Sequence, residues 1–278
     1  MSFTITEKLL KAILNNELKH VLNEEDINNL TYNIIIQLDN KPASIPQIKS
    51  KDENELIFFT DGAVNGNGKK ENPIAGVGIY NMKFEISKRF NNVKFRFNDK
   101  DNKLSNPNKS IIYKASNIRA EGYAILYTLW LIKLIHLDNK QITERQLSKL
   151  NKLEYLFPFD TLDMREIIND IKIINKTKKM AIIVTDSEFW INMIETFIPK
   201  WVQANIVTTK KNIDLVVYIE YIYRLLEKNN VNVILRHVRS HPNKKKQLND
   251  DEIGNEHADK LAVNAKQFNH TNFIFNIL

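Results

Sequence analysis

Cysteine is absent from this 278-residue chain. That absence removes disulfide frameworks, thiol catalysis and every Cys-ligated zinc or iron–sulfur site, and leaves carboxylates and histidines to carry any chemistry. No apolar run approaches the roughly 18 residues of a membrane-spanning helix. The first residues, Met1-Ser-Phe-Thr-Ile-Thr-Glu-Lys8, put charge where a secretion signal would put its apolar core. The expectation is a soluble intracellular chain that engages no membrane, its compartment unassigned. Acidic residues are also outnumbered, 33 Asp+Glu against 40 Lys+Arg, for a formal net charge of +7.

A hydrophobic fraction of 43% with 26% charged residues describes a globular protein. The basic excess is concentrated. Between Pro199 and Asn249 stand ten Lys or Arg against three acids, Asp214, Glu220 and Glu227, an excess equal to that of the whole chain. Such a segment is either a grip for a polyanion or a solvated face.

Periodicity organises the chain into three parts. Residues 1–38 carry Leu9, Leu10, Ile13, Leu14 and Leu18, then Ile27, Leu30, Ile34 and Leu38, at the spacing of two amphipathic helices. Residues 39–54 hold Pro42 and Pro46 and little apolar surface, and read as a linker. From 55 to 270 the pattern is that of an α/β domain. Leu56-Ile-Phe-Phe-Thr-Asp-Gly62 reads as a buried strand stopped by Asp-Gly, followed by strands at Ala75–Tyr80 and Phe84–Phe90. Ala120, Ala124, Tyr127, Leu131 and Leu134 mark a helix, and Met180 to Asp186 a further strand. A helix from Ser187 to Ile198, ended by Pro199, is expected next, then a helix through Leu215, Ile219, Ile222 and Leu226, a strand at Val231–Val238 and a helix from Asp251 to about Lys266. Residues 137–179 form an insertion with helical patterning, at Leu147, Leu150 and Leu153 and at Ile167, Ile171 and Ile174.

Two strands end alike, in Phe59-Thr-Asp61-Gly and Val184-Thr-Asp186-Ser, where an α/β sheet forms ligand sites. Taken singly, an Asp there is also a turn former or helix cap. Glu121 sits at the edge of the sheet-packing face of its helix, and Asp259 lies in the last helix within Gly254-Asn-Glu-His-Ala-Asp-Lys-Leu-Ala262. Four acids converging on one sheet edge repel one another unless cations offset them, and hard oxygen ligands favour Mg2+ or Mn2+. A divalent pair about 4 Å apart suits in-line attack of water on a phosphodiester.

Four blocks, in order, resemble the type 1 ribonucleases H: Phe59-Thr-Asp-Gly-Ala63 with Gly66-Asn67, Ser116 to Ala124, Val184 to Asn192, and His237-Val-Arg-Ser-His241 with Gly254 to Ala262. The resemblance implies a ribonuclease H-like five-stranded mixed sheet flanked by helices, here with an N-terminal helical extension and a helical insertion. It implies hydrolysis of the RNA strand of RNA–DNA hybrids by two Mg2+ ions, Mn2+ being the alternative, with 3′-hydroxyl and 5′-phosphate ends. Asp61, Glu121, Asp186 and Asp259 match the family's metal ligands, and His241 its mobile-loop histidine. Asn67, Ser116 and Asn117 match substrate positions, the two asparagines those that read the hybrid's minor groove. Phe197 and Trp201 fall where the family sets aromatics against the DNA strand's sugars.

Some residues depart from that pattern. Ile118 replaces a second groove-reading Asn, Glu188 replaces a neutral residue, and the basic protrusion is shortened to Ala204–Lys211. The loop after His241 is long and carries Lys244, Lys245 and Lys246, which are assigned here to substrate grip. Residues 1–54 lack the signature of the family's small hybrid-binding domain, so they and residues 137–179 are open to a protein partner. Two alternatives remain: an inactive nucleic-acid-binding or tethering module of the same fold, and a related DNA nuclease.

Overall fold

The computed structural model describes residues 55–65, 73–82, 84–95, 111–138, 163–174, 177–240, 248–267 and 272–275. The chain divides into two compact units, Met1–Gln47 and Ile48–Leu278. The two helices expected in residues 1–38, the linker at 39–54 and the Leu147 to Leu153 helix lie outside the described residues.

Six strands form the main sheet: β1 (Glu55–Asn65), β2 (Ile74–Asn81), β3 (Phe84–Phe90), β6 (Lys179–Thr185), β7 (Val231–His237) and β8 (Asn272–Phe275). Their order is β7-β6-β1-β2-β3-β8, while β4 (Val93–Phe95) and β5 (Ile111–Tyr113) pair apart as a small hairpin. The helices are α1 (Asn117–His136), α2 (Met164–Asn169), α3 (Glu188–Asn192), α4 (Ile198–Gln203), α5 (Ile213–Lys228) and α6 (Asp250–Ala265). The mixed five-stranded sheet expected from the sequence is therefore present. Beyond residue 270 the chain adds a sixth strand, β8, antiparallel to β3.

β1 and β6 are parallel, as are β6 and β7, whereas β1, β2 and β3 form an antiparallel meander. Alternation along β1 sends Leu56 and Phe58 to one face and Ile57 and Phe59 to the other. The first face carries the larger core, closed by α1 and α5. Lying between the sheet and α5, α1 buries apolar side chains nearly all round, among them Tyr123, Tyr127, Leu131 and Leu134. The second face is covered by α6 at very close range. A Cβ on Gly76 or Gly78 of β2 would lie 2.0 Å from the carbonyl oxygen of Ala262 or Ala258. Only glycine lets the helix backbone approach so near.

Local chemistry explains the element ends. Asn249 and Glu252 make a reciprocal capping box at the start of α6, with bonds of 2.9 and 2.8 Å. Asn205, Asn212 and Asn230 take the left-handed conformation at turns, the role glycine usually fills.

Three sequence expectations are corrected. β1 is not stopped by Asp61-Gly62 but runs on to Asn65, because β2 keeps pairing with it as far as Asn65↔Ile74. Pro199 does not end a helix: α3 passes through a π-helical turn, Met193–Phe197, into α4, where Pro199 occupies the first turn and its missing N–H costs no helical bond. The helix predicted through Ile167, Ile171 and Ile174 stops at Asn169. Beyond it the backbone bonds to the side chain of Asn229 instead, Ile174 N–H donating to Oδ1 at 2.6 Å.

Candidate active site at the end of the parallel strands

The last rung of the parallel ladder is Thr60↔Thr185, so the next residues outward, Asp61 and Asp186, stand just past its end. Asp61 is still paired on its other side, with Gly78 of β2. Gly78 lies against the Ala258 carbonyl of α6, which brings Asp259 to the same place. Glu121 arrives from the opposite face. The start of α1 crosses β1 at Gly62, where a Cβ would lie 2.2 Å from the backbone nitrogen of Glu121. Four acids from two strands and two helices thus meet around one residue, Asp61.

Electrostatics records that meeting. Asp61 is 8% exposed. Burial, and after it the Asp186 charge, push its carboxyl up to about 8, against the opposing 2.6 Å bond from Gly62 N–H to Oδ1, with Asp259 and Glu121 adding to the rise. Glu121 is also raised, by burial first and by Asp186, while the Ser187 hydroxyl donates to its Oε2 at 2.5 Å and works the other way. Among the described residues no group of three or more His, Asp or Glu is closed up as a ready-made metal cage. What is gathered is a set of oxygen donors whose charges oppose one another.

Glu121 is further fixed by neighbours the sequence reading did not single out. Trp190 of α3 is fully buried, donates from Nε1 to the Ile118 carbonyl at 2.6 Å, and packs where a Cβ on Gly122 would lie 2.4 Å from its ring. Arg119 and Asp214 form a buried ion pair beside it. Ser187 carried a signal, since it follows Asp186 directly. The Arg119 pairing carried none, because its partner is 95 residues away.

The residues assigned to substrate are distributed as follows. Ser116 caps α1, its hydroxyl accepting from Arg119 N–H at 3.4 Å, and Asn117 is exposed on the first turn. Phe197 is 46% exposed, and its ring centre lies 6.2 Å from that of half-buried Trp201, over which Lys210 Nζ sits at 4.9 Å. Asn67, His241, Lys244, Lys245 and Lys246 lie outside the described residues. Within the basic segment Arg224 is taken up by Glu220 and Glu227, and Arg236 by Asp251. These cations serve the fold rather than an open basic face.

No curated protein matches the chain. Among solved structures, it is similar to the RNase H domain of PFV determined in solution, at 15% identity over 76% of this chain and 94% of that one, with a TM-score of 0.40. It is similar to LC9-RNase H1, a type 1 RNase H with the type 2 active-site motif, at 13% identity over 82% and 80% with a TM-score of 0.42. It is also similar to RNase H1 of the halophilic archaeon Halobacterium salinarum NRC-1, at 14% identity over 76% and 96% with a TM-score of 0.35. The RNase H family model matches residues 141–267, a stretch that holds Asp186, His241 and Asp259 and does not include Asp61 and Glu121. By that match residues 141–267 are similar to the RNase H family.

Proposed function

We propose that the chain is an endonuclease that hydrolyses the RNA strand of RNA–DNA hybrids, leaving 3′-hydroxyl and 5′-phosphate ends. The observation that carries this reading is the loading of Asp61 by the charges of Asp186, Asp259 and Glu121 at the end of the parallel ladder. All four donors are carboxylate oxygens, the donor set that suits Mg2+ and Mn2+. Asp61, Asp186, Asp259 and Glu121 would hold two such ions. When bound, the ions supply Lewis-acid stabilisation of phosphate charge and a water of lowered pKa.

The chain's own residues do the rest. The backbone N–H of Gly62 binds Oδ1 of Asp61 and the hydroxyl of Ser187 binds Oε2 of Glu121, so neither bond uses the other oxygen of its carboxylate. Asn117 and the exposed ring of Phe197 offer the hybrid a polar reader and a face for its sugars, with Trp201 and Lys210 behind. His241, which follows β7 in the sequence, is assigned to move a proton at the leaving 3′ oxygen or to assist product release.

One assay tests the reading. Labelled RNA–DNA hybrid, duplex DNA and duplex RNA are incubated with the full chain, with Mg2+ and with EDTA. Metal-dependent cleavage of the RNA strand of the hybrid alone is expected. Binding without cleavage would make the chain an inert module, and cleavage of duplex DNA would make it a DNA nuclease.

A further inference from the structure

The geometry points to Arg119 as the positioning residue for Glu121: it locks the first turns of α1 to the start of α5 and so decides where that carboxylate stands. This rests on the reading of Glu121 as a metal ligand, but the contacts that carry it are independent of the acids. Arg119 is 2% exposed and Asp214 3%. Nη1 donates to Asp214 Oδ1 at 3.0 Å and to Asn212 Oδ1 at 2.9 Å, while Nη2 donates to Asp214 Oδ2 at 2.5 Å and to the Tyr123 hydroxyl at 3.0 Å. The Tyr123 hydroxyl in turn donates to Asp214 Oδ2 at 3.0 Å, and the guanidinium carbon lies 4.2 Å from the centre of the Tyr113 ring. One side chain thus ties α1 to β5 and α5.

A buried ion pair is weak evidence for stability, because an apolar pair of similar volume does as well or better. Its geometric demand is stronger. A bidentate guanidinium–carboxylate pair fixes both distance and orientation. Here it fixes the helix one half-turn ahead of Glu121. The Arg119 backbone N–H is held by Ser116, and the preceding carbonyl, that of Ile118, is held by Trp190. Gly62 packs beneath the segment from Ser116 to Gly122 and Gly122 packs against Trp190, so the same segment is also held from the sheet and from α3. Asn212 connects the same lock to the Lys210–Lys211 segment, since it takes the left-handed conformation at the α5 cap directly after those lysines.

The test compares the full-length wild type with Arg119→Met/Asp214→Leu, which removes the lock and keeps the volume. Asp61→Asn serves as the inactive control. Unfolding temperature without metal is expected to stay near wild type. Under saturating hybrid, kcat is expected to fall about 100-fold, the scale of a misplacement of about 1 Å, with KM changed by less than about threefold. The rise in unfolding temperature on adding Mn2+ should shrink to roughly half or less. A double variant with wild-type kcat and wild-type response to Mn2+ would overturn the proposal and leave Arg119 a core residue only. Should the double variant not fold, Asn212→Gly decides: it keeps the left-handed backbone and removes one bond to Nη1. A fall in kcat of about threefold at unchanged unfolding temperature supports the lock, and an unchanged kcat overturns it. If the wild type cleaves no hybrid, the proposed function fails, and the Mn2+ response alone decides the role of Arg119.

Discussion

Asp61 and Asp186 stand side by side because Thr60 and Thr185 are the last pair of the parallel ladder between β1 and β6. One more rung of pairing would have locked both residues into the sheet. As it is, β1 continues only along β2, and Asp61 keeps one side of its backbone in the sheet while its carboxyl faces the other three acids.

Replacing Asp61 by Asn is expected to abolish cleavage, with turnover below a few per cent of wild type, and to stabilise the metal-free protein at high pH. The sign follows from linkage: a carboxyl raised from 3.8 to about 8 in the folded state favours folding below its unfolded value, and that advantage is lost as pH rises through the window between the two. The Asn variant has no such loss. Thermal unfolding in EDTA between pH 4 and pH 9 should show the variant gaining on wild type as pH rises; a gap that closes with pH would contradict the electrostatic account.

Gly62→Ala should impair both stability and activity, since its Cβ would meet the backbone of Glu121 and Ala120 at 2.2 and 2.3 Å, atoms that cannot step aside without moving α1. Overpacking of this kind costs about 1–3 kcal/mol. Denaturant titration reads the stability, and kcat should fall more steeply than stability alone accounts for, because the displaced segment carries Glu121. Full activity in a destabilised Gly62→Ala protein would separate α1 from the chemistry.

His241→Ala is expected to slow turnover by about one to two orders of magnitude and to leave hybrid affinity nearly unchanged, as fits a group that moves a proton rather than one that binds metal. Single-turnover kinetics with a parallel binding measurement checks this. Loss of the Mn2+-induced stabilisation in the variant would place the histidine among the ligands instead.

Changing Lys244, Lys245 and Lys246 together to Gln should lower the slope of log affinity against log salt by up to ~3, weaken binding to every hybrid sequence alike, and spare turnover at saturation. Arg224 and Arg236 are committed to ion pairs within the chain, so on the proposed reading these three lysines are expected to add to the grip of the aromatic pair and Lys210. Binding over a salt series decides, and an unchanged slope would leave the three lysines without a role in holding the hybrid.

The sequence by itself determined the parts that depend on neighbours along the chain. Apolar runs and periodicity placed β1, β6, α1 and α5, because a strand or helix face needs only a repeat of two or 3.6 residues to declare itself. The absence of cysteine left carboxylates and histidines to carry any chemistry, and the pattern from Asp251 onward placed α6. What depends on partners far along the chain was decided only by tertiary structure. That β1 runs past Asp61 follows from β2 pairing as far as Asn65; Pro199 is tolerated because a π-helical turn hands the chain into a new helix; Asp214, counted in the sequence among the few acids of a basic segment, is spent inside the core on Arg119. Burial set the state of Asp61 as well: its carboxyl is pushed up to about 8 by burial first and then by the neighbouring charges, which the closeness of Gly62 to α1 and of Gly78 to α6 gathers around it. A charge repels or pairs according to distance and dielectric, and both are properties of the folded chain.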